Sequence, residues 1–205
     1  MRHACGVCAS ASSSRGSVPT IEPSRTLEFA HAAASRVREV AQSGARVAFA
    51  TAAPASLLSV YFALARIAVS GGAEVEELGD VGPIRADGRH PRWLRSVDRV
   101  VAVTDGRALC DTHDGEAARE WLFVLNRPRL VVADGPFAEV AWESGIEVVT
   151  FAGLHHCALA IPAARSDRCT LVPMRTDRPP VAYRSLVSAF GEPAAQEGFD
   201  RPMEV

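Results

Sequence analysis

A chain of 205 residues is long enough to build one full hydrophobic core and too short for two. Hydrophobic residues make up 48% and charged residues 22% of the sequence, a balance typical of a globular protein that excludes disorder over most of the length. The net charge of -2, from 22 basic and 24 acidic residues, provides no positive field for a polyanion, so we expect no nucleic-acid partner.

The two ends of the chain differ in composition from its middle. Residues 1–23 and 191–205 are rich in small and polar residues without an apolar period, so we predict a flexible N-terminal extension and a flexible C-terminal tail around a single domain at 24–190. The longest apolar run, 52–65, is shorter than the ~20 residues of a membrane span, so no membrane segment is expected. Five cysteines, an odd number, are typical of free thiols, and no apolar segment follows the first residues, so we expect a cytoplasmic protein.

Helix and strand signals alternate through the middle of the chain. A helix is expected from Pro23 to about Gly44, and a buried strand follows at 46–51. Pro54 then opens a second helix at a position where its missing amide is harmless, and the glycines at 71–72 end it. Further strands are expected at 73–78, 98–103, 108–112, 129–133, 146–151 and 169–173, and further helices at 115–126, 136–144, 156–164 and 180–190.

This alternation predicts the fold class. Strands that alternate with helices indicate an α/β protein, a three-layer α/β/α sandwich with a mainly parallel, Rossmann-like sheet. Asp105-Gly106 lies between two apolar runs and predicts one antiparallel hairpin within that sheet. Residues 79–96 are rich in glycine, proline and charged residues, so we predict a surface loop there.

Polar residues follow several of the predicted strands. In an open parallel sheet, ligands bind beyond the carboxyl ends of the strands, where loops and helix N-termini converge. The candidates at these ends are Thr51, Thr112, His113, Asp114, Asp134, His155 and His156.

The segment from Cys110 to Asp114 puts two carboxylates, a hydroxyl and an imidazole within five residues. A histidine beside carboxylates can act as a general acid, a general base or a metal ligand near neutral pH. We therefore consider His113 a catalytic candidate, and Thr112 and Asp114 ligand-binding candidates together with Thr51. Asp114 is equally well placed to cap the helix that is expected from residue 115.

Two further candidate sites each have both a functional and a purely structural interpretation. Asp134 ends an apolar run and is a catalytic candidate that can hold a metal or a ligand hydroxyl, or can cap the next helix. His155 and His156 are followed by Cys157, and imidazole and thiolate are zinc ligands. Because the side chains of adjacent residues diverge, a loop that leads into a helix is the alternative interpretation of these histidines.

From about Arg25 to Phe190, the order of segments resembles a bacterial family, common in actinobacteria, that is known simply as phosphatase. The resemblance is carried by Arg25-Thr26-Leu27, Thr51-Ala52-Ala53-Pro54, Leu57-Leu58-x-x-Tyr61, Thr112-His113, Leu130-Val131-Val132-Ala133-Asp134, Gly145-Ile146 and Phe151-Ala152. It covers about four-fifths of the chain.

The chain departs from the family pattern at three places. The family has Thr-Gly-His-Pro after the first strand, where this chain has Ala53 at the histidine position, and Asp-His-Gly where this chain has Asp134 followed by Gly135. Its acidic loop, Asp-x-Asp-Asp-Pro, corresponds here to residues 153–157. The resemblance therefore implies a divergent member that retains Thr112, His113 and Asp134.

The resemblance implies a phosphatase-like hydrolase of a small phosphorylated metabolite. His113 is then an acid/base or a ligand, and Asp134 a ligand or an orienting group. A divalent metal, Mg²⁺, Mn²⁺ or Zn²⁺, is an open question, with His155 and His156 as its candidate ligands. Because phosphoryl transfer needs positive charge against the phosphate oxygens, the missing family residues leave a second hypothesis, an inactive relative that binds a phosphorylated or nucleotide ligand without turnover.

Overall fold

The computed structural model describes residues 7–8, 20–79, 81–84, 91–153 and 158–191. The strands are β1 Val7–Cys8, β2 Thr20–Ile21, β3 Arg46–Ala50, β4 Glu74–Val75, β5 Val81–Ile84, β6 Arg92–Val97, β7 Val100–Thr104, β8 Leu109–Cys110, β9 Leu130–Asp134, β10 Glu147–Ala152 and β11 Cys169–Pro173. The helices are α1 Pro23–Gln42, α2 Pro54–Ser70, α3 Gly115–Val124, α4 Gly135–Glu143, α5 Ala160–Arg165 and α6 Arg184–Ala189, and a short 3-10 helix, Pro180–Tyr183, precedes α6.

The described strands from β3 to β11 form one mixed sheet. Its strand order is β11-β10-β9-β3-β7-β6-β5, with β4 also paired to β3 and β8 also paired to β7. The pairings of β3 with β4, β7 and β9 are parallel, as are those of β10 with β9 and β11. The predicted α/β class with a mainly parallel sheet is confirmed.

Helices cover both faces of this sheet. Phe49 in β3 packs in a core with residues of α1, α2 and α6, whereas its neighbours Ala48 and Ala50 pack in a second core with residues of α3, α4 and α5. Strands buried on both faces are expected in a sheet covered by helices on two sides, because successive side chains point to opposite faces. The three predicted layers follow from these two cores.

The antiparallel part of the sheet is larger than predicted. The surface loop predicted at 79–96 was wrong for its described residues, because β5 and β6 lie there and β6 pairs antiparallel with both β5 and β7. Gly82, a loop signal in the sequence, permits a close approach instead, since a Cβ there would lie 2.8 Å from Cδ1 of Trp93. Only Leu94 in β6 is buried, so this strand tolerates the arginines that obscured it.

The predicted hairpin at Asp105-Gly106 is confirmed. β7 and β8 pair antiparallel, and Asp105 Oδ1 accepts hydrogen bonds from the amides of Arg107 and Ala108, each at 2.8 Å. Beyond β8, the amide of Thr112 donates to the carbonyl of Ala52 at 2.9 Å. The hairpin therefore brings the segment after β8 to the carboxyl end of β3.

The chain leaves the neighbouring strands β3 and β9 toward opposite faces. β3 continues into α2 on one face, and β9 continues into α4 on the other. Such a switch point opens a crevice at the carboxyl ends of the two strands, which is where open α/β sheets bind ligands. Among the described helices, none is both long and apolar enough to cross a membrane.

Candidate active site

A cleft of about 1030 Å³ opens at the carboxyl ends of the parallel strands. Its floor is formed by residues at or just after the carboxyl ends of β3, β9, β10 and β11. These are Ala52, Ala53, Asp134, Gly135, Gly153 and residues 174–178. Asp111, Thr112 and His113 line it after β8, and the beginnings of α1 and α6 contribute further lining residues.

Asp134, the last residue of β9, lines this cleft while only 4% of its surface is exposed. Its carboxylate accepts a 2.7 Å hydrogen bond from the hydroxyl of Tyr61, and its two oxygens lie 3.2 and 3.3 Å from the amide nitrogen of Ala52, which donates to them. The hydroxyl of Thr51 also hydrogen-bonds to it. Both β3 and α2 therefore hold this carboxyl group in place.

Burial raises the pKa of Asp134 from 3.8 to about 6. Desolvation is the largest cause, because it disfavours the charged form, and the negative charge of Asp111 acts in the same direction. The hydrogen bonds from Tyr61, Thr51 and Ala52 oppose this rise, since they stabilise the carboxylate. A carboxyl group with such a pKa can both hold and release a proton near neutral pH.

Gly135 turns the chain away from Asp134 into α4. Its φ is +52°, and a Cβ at this position would lie 3.1 Å from Cβ of Ala52, so glycine allows β9 and β3 to approach closely here. Asp134 stands at the N-cap position of α4 but makes no side-chain capping bond. The capping interpretation of Asp134 is therefore wrong. Its carboxylate instead accepts hydrogen bonds from Tyr61 and from the amide of Ala52.

The segment after β8 supplies the opposite wall of the cleft. Thr112 is buried, and its hydroxyl accepts a 3.1 Å hydrogen bond from the amide of Asp114, while His113 is exposed and lines the cleft. Asp114 Oδ1 accepts a 2.8 Å hydrogen bond from the amide of Glu116, which is the predicted cap of α3. The carboxylate of Asp114 thus serves α3, and this residue does not line the cleft.

The structure brings Thr112, His113 and Asp134 to one cleft, and it does not bring all the candidates there. Thr51 is fully buried behind Asp134. His155 and His156 lie outside the described residues, in the segment between Gly153 and Ala158. Within the described ranges, no three His, Cys, Asp or Glu side chains are grouped closely enough to hold a metal ion.

Sequence reasoning missed one support of this cleft and one part of its lining. Tyr61 does not line the cleft but holds Asp134, and it was given no functional role because no local pattern signals a partner that lies 73 residues away. Arg175 and Arg178 follow β11 directly, so the rule of strand ends could have found them. Arg175 forms an ion pair with Asp177, whereas Arg178 makes no salt bridge with a described residue.

Comparison with known proteins decides the family. The profile of a family described as Phosphatase matches residues 1–194. The chain belongs to this Phosphatase family. The predicted resemblance to this family is thereby confirmed.

One curated relative is Phosphatase SCO2771 of Streptomyces coelicolor, which is 31% identical over 160 residues. The match covers 76% of this chain and 59% of the relative, so the chain spans well under two thirds of the relative's length. No solved structure matches the chain significantly.

Proposed function

We propose that this member of the Phosphatase family hydrolyses the phosphate ester of a small metabolite in the cleft at the switch point between β3 and β9. The observation that carries the proposal is the convergence of His113 and the buried carboxyl group of Asp134 on one cleft. They come from separate parts of the sheet, which is how α/β enzymes assemble their sites.

Two helix N-termini are suited to hold the phosphate. α2 begins at Pro54, directly after Ala53, and α4 begins at Gly135. Ala53 and Gly135 line the cleft floor, and neither helix has a side-chain cap. α3, which begins away from the cleft, is capped by Asp114. Pro54 and Pro136 have no amide to donate, so the remaining first-turn amides and the positive ends of these helices attract the anion, and Arg178 adds a positive charge at the rim.

The general base of the reaction would be Asp134, and the general acid would be His113. A water molecule attacks the phosphorus atom, and Asp134, with its pKa of about 6, accepts the proton of that water. The ester P–O bond breaks, and His113 gives a proton to the leaving alcohol oxygen. The products are inorganic phosphate and the alcohol.

The candidate ligands for a divalent metal lie outside the described residues. The described residues do not form a three-ligand set, so no step above is assigned to a metal. His155 and His156 stay candidate ligands. Metal analysis of protein purified without a histidine tag tests them, because a bound site gives a stoichiometric metal content that His155→Ala and His156→Ala together abolish.

Phosphate release tests the proposal. Purified full-length protein is assayed on a panel of small phosphate esters, with and without Mg²⁺, Mn²⁺ or Zn²⁺. We expect His113→Ala to lower kcat/KM by roughly a hundredfold or more, whereas His31→Gln, a histidine of α1 that does not line the cleft, stays close to the unmodified protein. No release from any ester under any of these conditions would contradict hydrolysis.

A second candidate is a protein that binds a phosphorylated or nucleotide ligand without turnover. It is favoured by Ala53, Gly135 and Gly153, which line the cleft at positions where the family pattern has polar residues. A ligand that binds only the folded state raises its apparent stability by mass action. A rise in Tm with phosphate esters, combined with no phosphate release, supports this candidate over hydrolysis.

A further inference from the structure

One side of the cleft is apolar, and the proposed reaction makes no use of it. Five residues from separate elements form this surface, which we call the apolar wall. They are Ile21, Leu27, Met174, Ala182 and Leu186. Leu27 is a large hydrophobic residue with 38% of its surface exposed, and it lines a concave surface.

Two hydroxyl groups on the same side are already paired within the protein. The hydroxyl of Thr26 donates to the carbonyl of Pro173 at 2.6 Å. The hydroxyl of Tyr183 donates to the carbonyl of Arg175 at 2.9 Å and accepts from the amide of Arg178 at 3.0 Å. These two hydroxyls therefore have their principal partners, and the wall offers a ligand mainly apolar contact.

The two groups assigned to the reaction lie elsewhere along the cleft, since Asp134 ends β9 and His113 follows β8. The apolar wall is made by β2, the beginning of α1, the residue after β11, the 3-10 helix and α6. Arg175, Asp177 and Arg178 follow Met174 and also line the cleft. A cleft of about 1030 Å³ is large enough for a drug-sized ligand. A compact ester, such as a three-carbon sugar phosphate, would leave the apolar wall exposed to water.

The geometry points to a substrate that carries a bulky apolar group, an aryl or long alkyl alcohol esterified to phosphate, with that group against the apolar wall. This inference rests on the proposed function for the position of the phosphate. It adds the chemical class of the alcohol. Leu27 is then a specificity-determining residue, because removing apolar area from water stabilises the bound state by about 25 cal/mol per Å².

Binding of two non-hydrolysable phosphonates to the full-length protein tests the inference without turnover. Isothermal titration calorimetry compares 1-naphthylmethylphosphonate with methylphosphonate. We expect the naphthyl compound to bind at least about tenfold more tightly, because only it covers the wall. Equal affinity for the two, or no binding of either, would overturn the inference.

A pair of variants assigns the preference to the wall. Leu27→Gln replaces an exposed helix residue with another good helix former, so the fold is retained. It should weaken naphthyl binding about fivefold or more and leave methylphosphonate unchanged. Val181→Gln changes a residue that is 57% exposed and does not line the cleft, and it should alter neither. Equal loss for both ligands in Leu27→Gln would contradict a role of the wall.

Turnover separates this inference from the proposed function. Hydrolysis of 1-naphthyl phosphate is measured on the same protein. If the naphthyl compound binds more tightly but no ester is hydrolysed, the phosphatase proposal is contradicted and the role of the apolar wall in binding is supported. If small esters are hydrolysed but the naphthyl compound is not preferred, the role of the apolar wall is contradicted and the phosphatase proposal is supported.

Discussion

The hydroxyl of Tyr61 in α2 donates a 2.7 Å hydrogen bond to Oδ1 of Asp134 at the end of β9. Tyr61 is fully buried, and the raised pKa of its own hydroxyl, caused by burial and by the charge of Asp134, keeps it a proton donor in this pair. The bond ties a helix on one face of the sheet to the carboxyl group on the cleft floor. It therefore helps to fix the position of Asp134 and lowers the pKa that burial raises.

Tyr61→Phe should raise the pKa of Asp134 further, since the hydrogen bond from Tyr61 lowers it. The acidic limb of the profile of kcat/KM against pH is then expected to move to higher pH. Tyr183→Phe is the matched control, because Tyr183 also lines the cleft but bonds only the loop after β11. An unmoved limb in Tyr61→Phe, or an equal shift in both variants, would contradict this role of Tyr61.

Asp134→Asn should stabilise the fold above pH 6 while removing activity. The unfolded carboxyl has a pKa near 3.8 and the folded one about 6, so between these values the folded state binds more protons. Stability therefore falls as the pH rises from 3.8 to 6 and stays lower above it, by roughly 3 kcal/mol. Asparagine carries no such cost, so the variant should gain up to roughly that amount at pH 8 and little at pH 4.

Urea unfolding at pH 4 and pH 8 measures this gain. Asp98→Asn, which removes an exposed carboxyl group in the turn between β6 and β7, serves as the control for the loss of one negative charge. The same change in the free energy of unfolding at both pH values for Asp134→Asn would mean that burial does not perturb this carboxyl.

Gly135→Ala and Gly145→Ala separate backbone strain from crowding at the cleft floor. Both glycines have positive φ, +52° and +79°, so each variant should lose about 1–2 kcal/mol of unfolding free energy. Only at Gly135 would the new Cβ meet a neighbour, the side chain of Ala52 at 3.1 Å. We therefore expect kcat/KM to fall in Gly135→Ala alone, and an equal fall in both would contradict the importance of this contact.

Asp114→Ala should lower stability by about 1 kcal/mol, because it removes the cap of α3. Asp114→Asn keeps an oxygen that can accept the bond from Glu116 and should retain most of that stability. Thermal unfolding of the two variants measures the difference. If Asp114 instead binds the substrate through its charge, both variants would raise KM alike.

Local sequence signals were sufficient to predict the helix and strand that hold the site. Pro54 and the apolar residues after it predicted α2, and the apolar run that ends at Asp134 predicted β9, because burial on both faces leaves an uninterrupted hydrophobic strand. The rule of strand ends then selected Thr112, His113 and Asp134, and these three meet at one cleft.

Other parts required information that is not local. β5 and β6 were missed because a half-exposed strand contains charged residues, and because Gly82 is needed for contact with Trp93 and not for a turn. The capping role of Asp134 was excluded only by Tyr61 and Ala52, which reach it from another part of the chain. Whether a carboxylate caps a helix or faces a cleft depends on such distant donors.

The central claim is that the phosphoryl group binds between the N-termini of α2 and α4, beside Asp134 and His113. A crystal structure of the full-length protein with tungstate, a phosphate mimic that anomalous scattering locates without ambiguity, tests this claim most directly. The account predicts one tungstate on the cleft floor, within hydrogen-bond distance of backbone amides of these helices and near His113. Tungstate bound only at other surfaces, with this floor occupied by water, would contradict it.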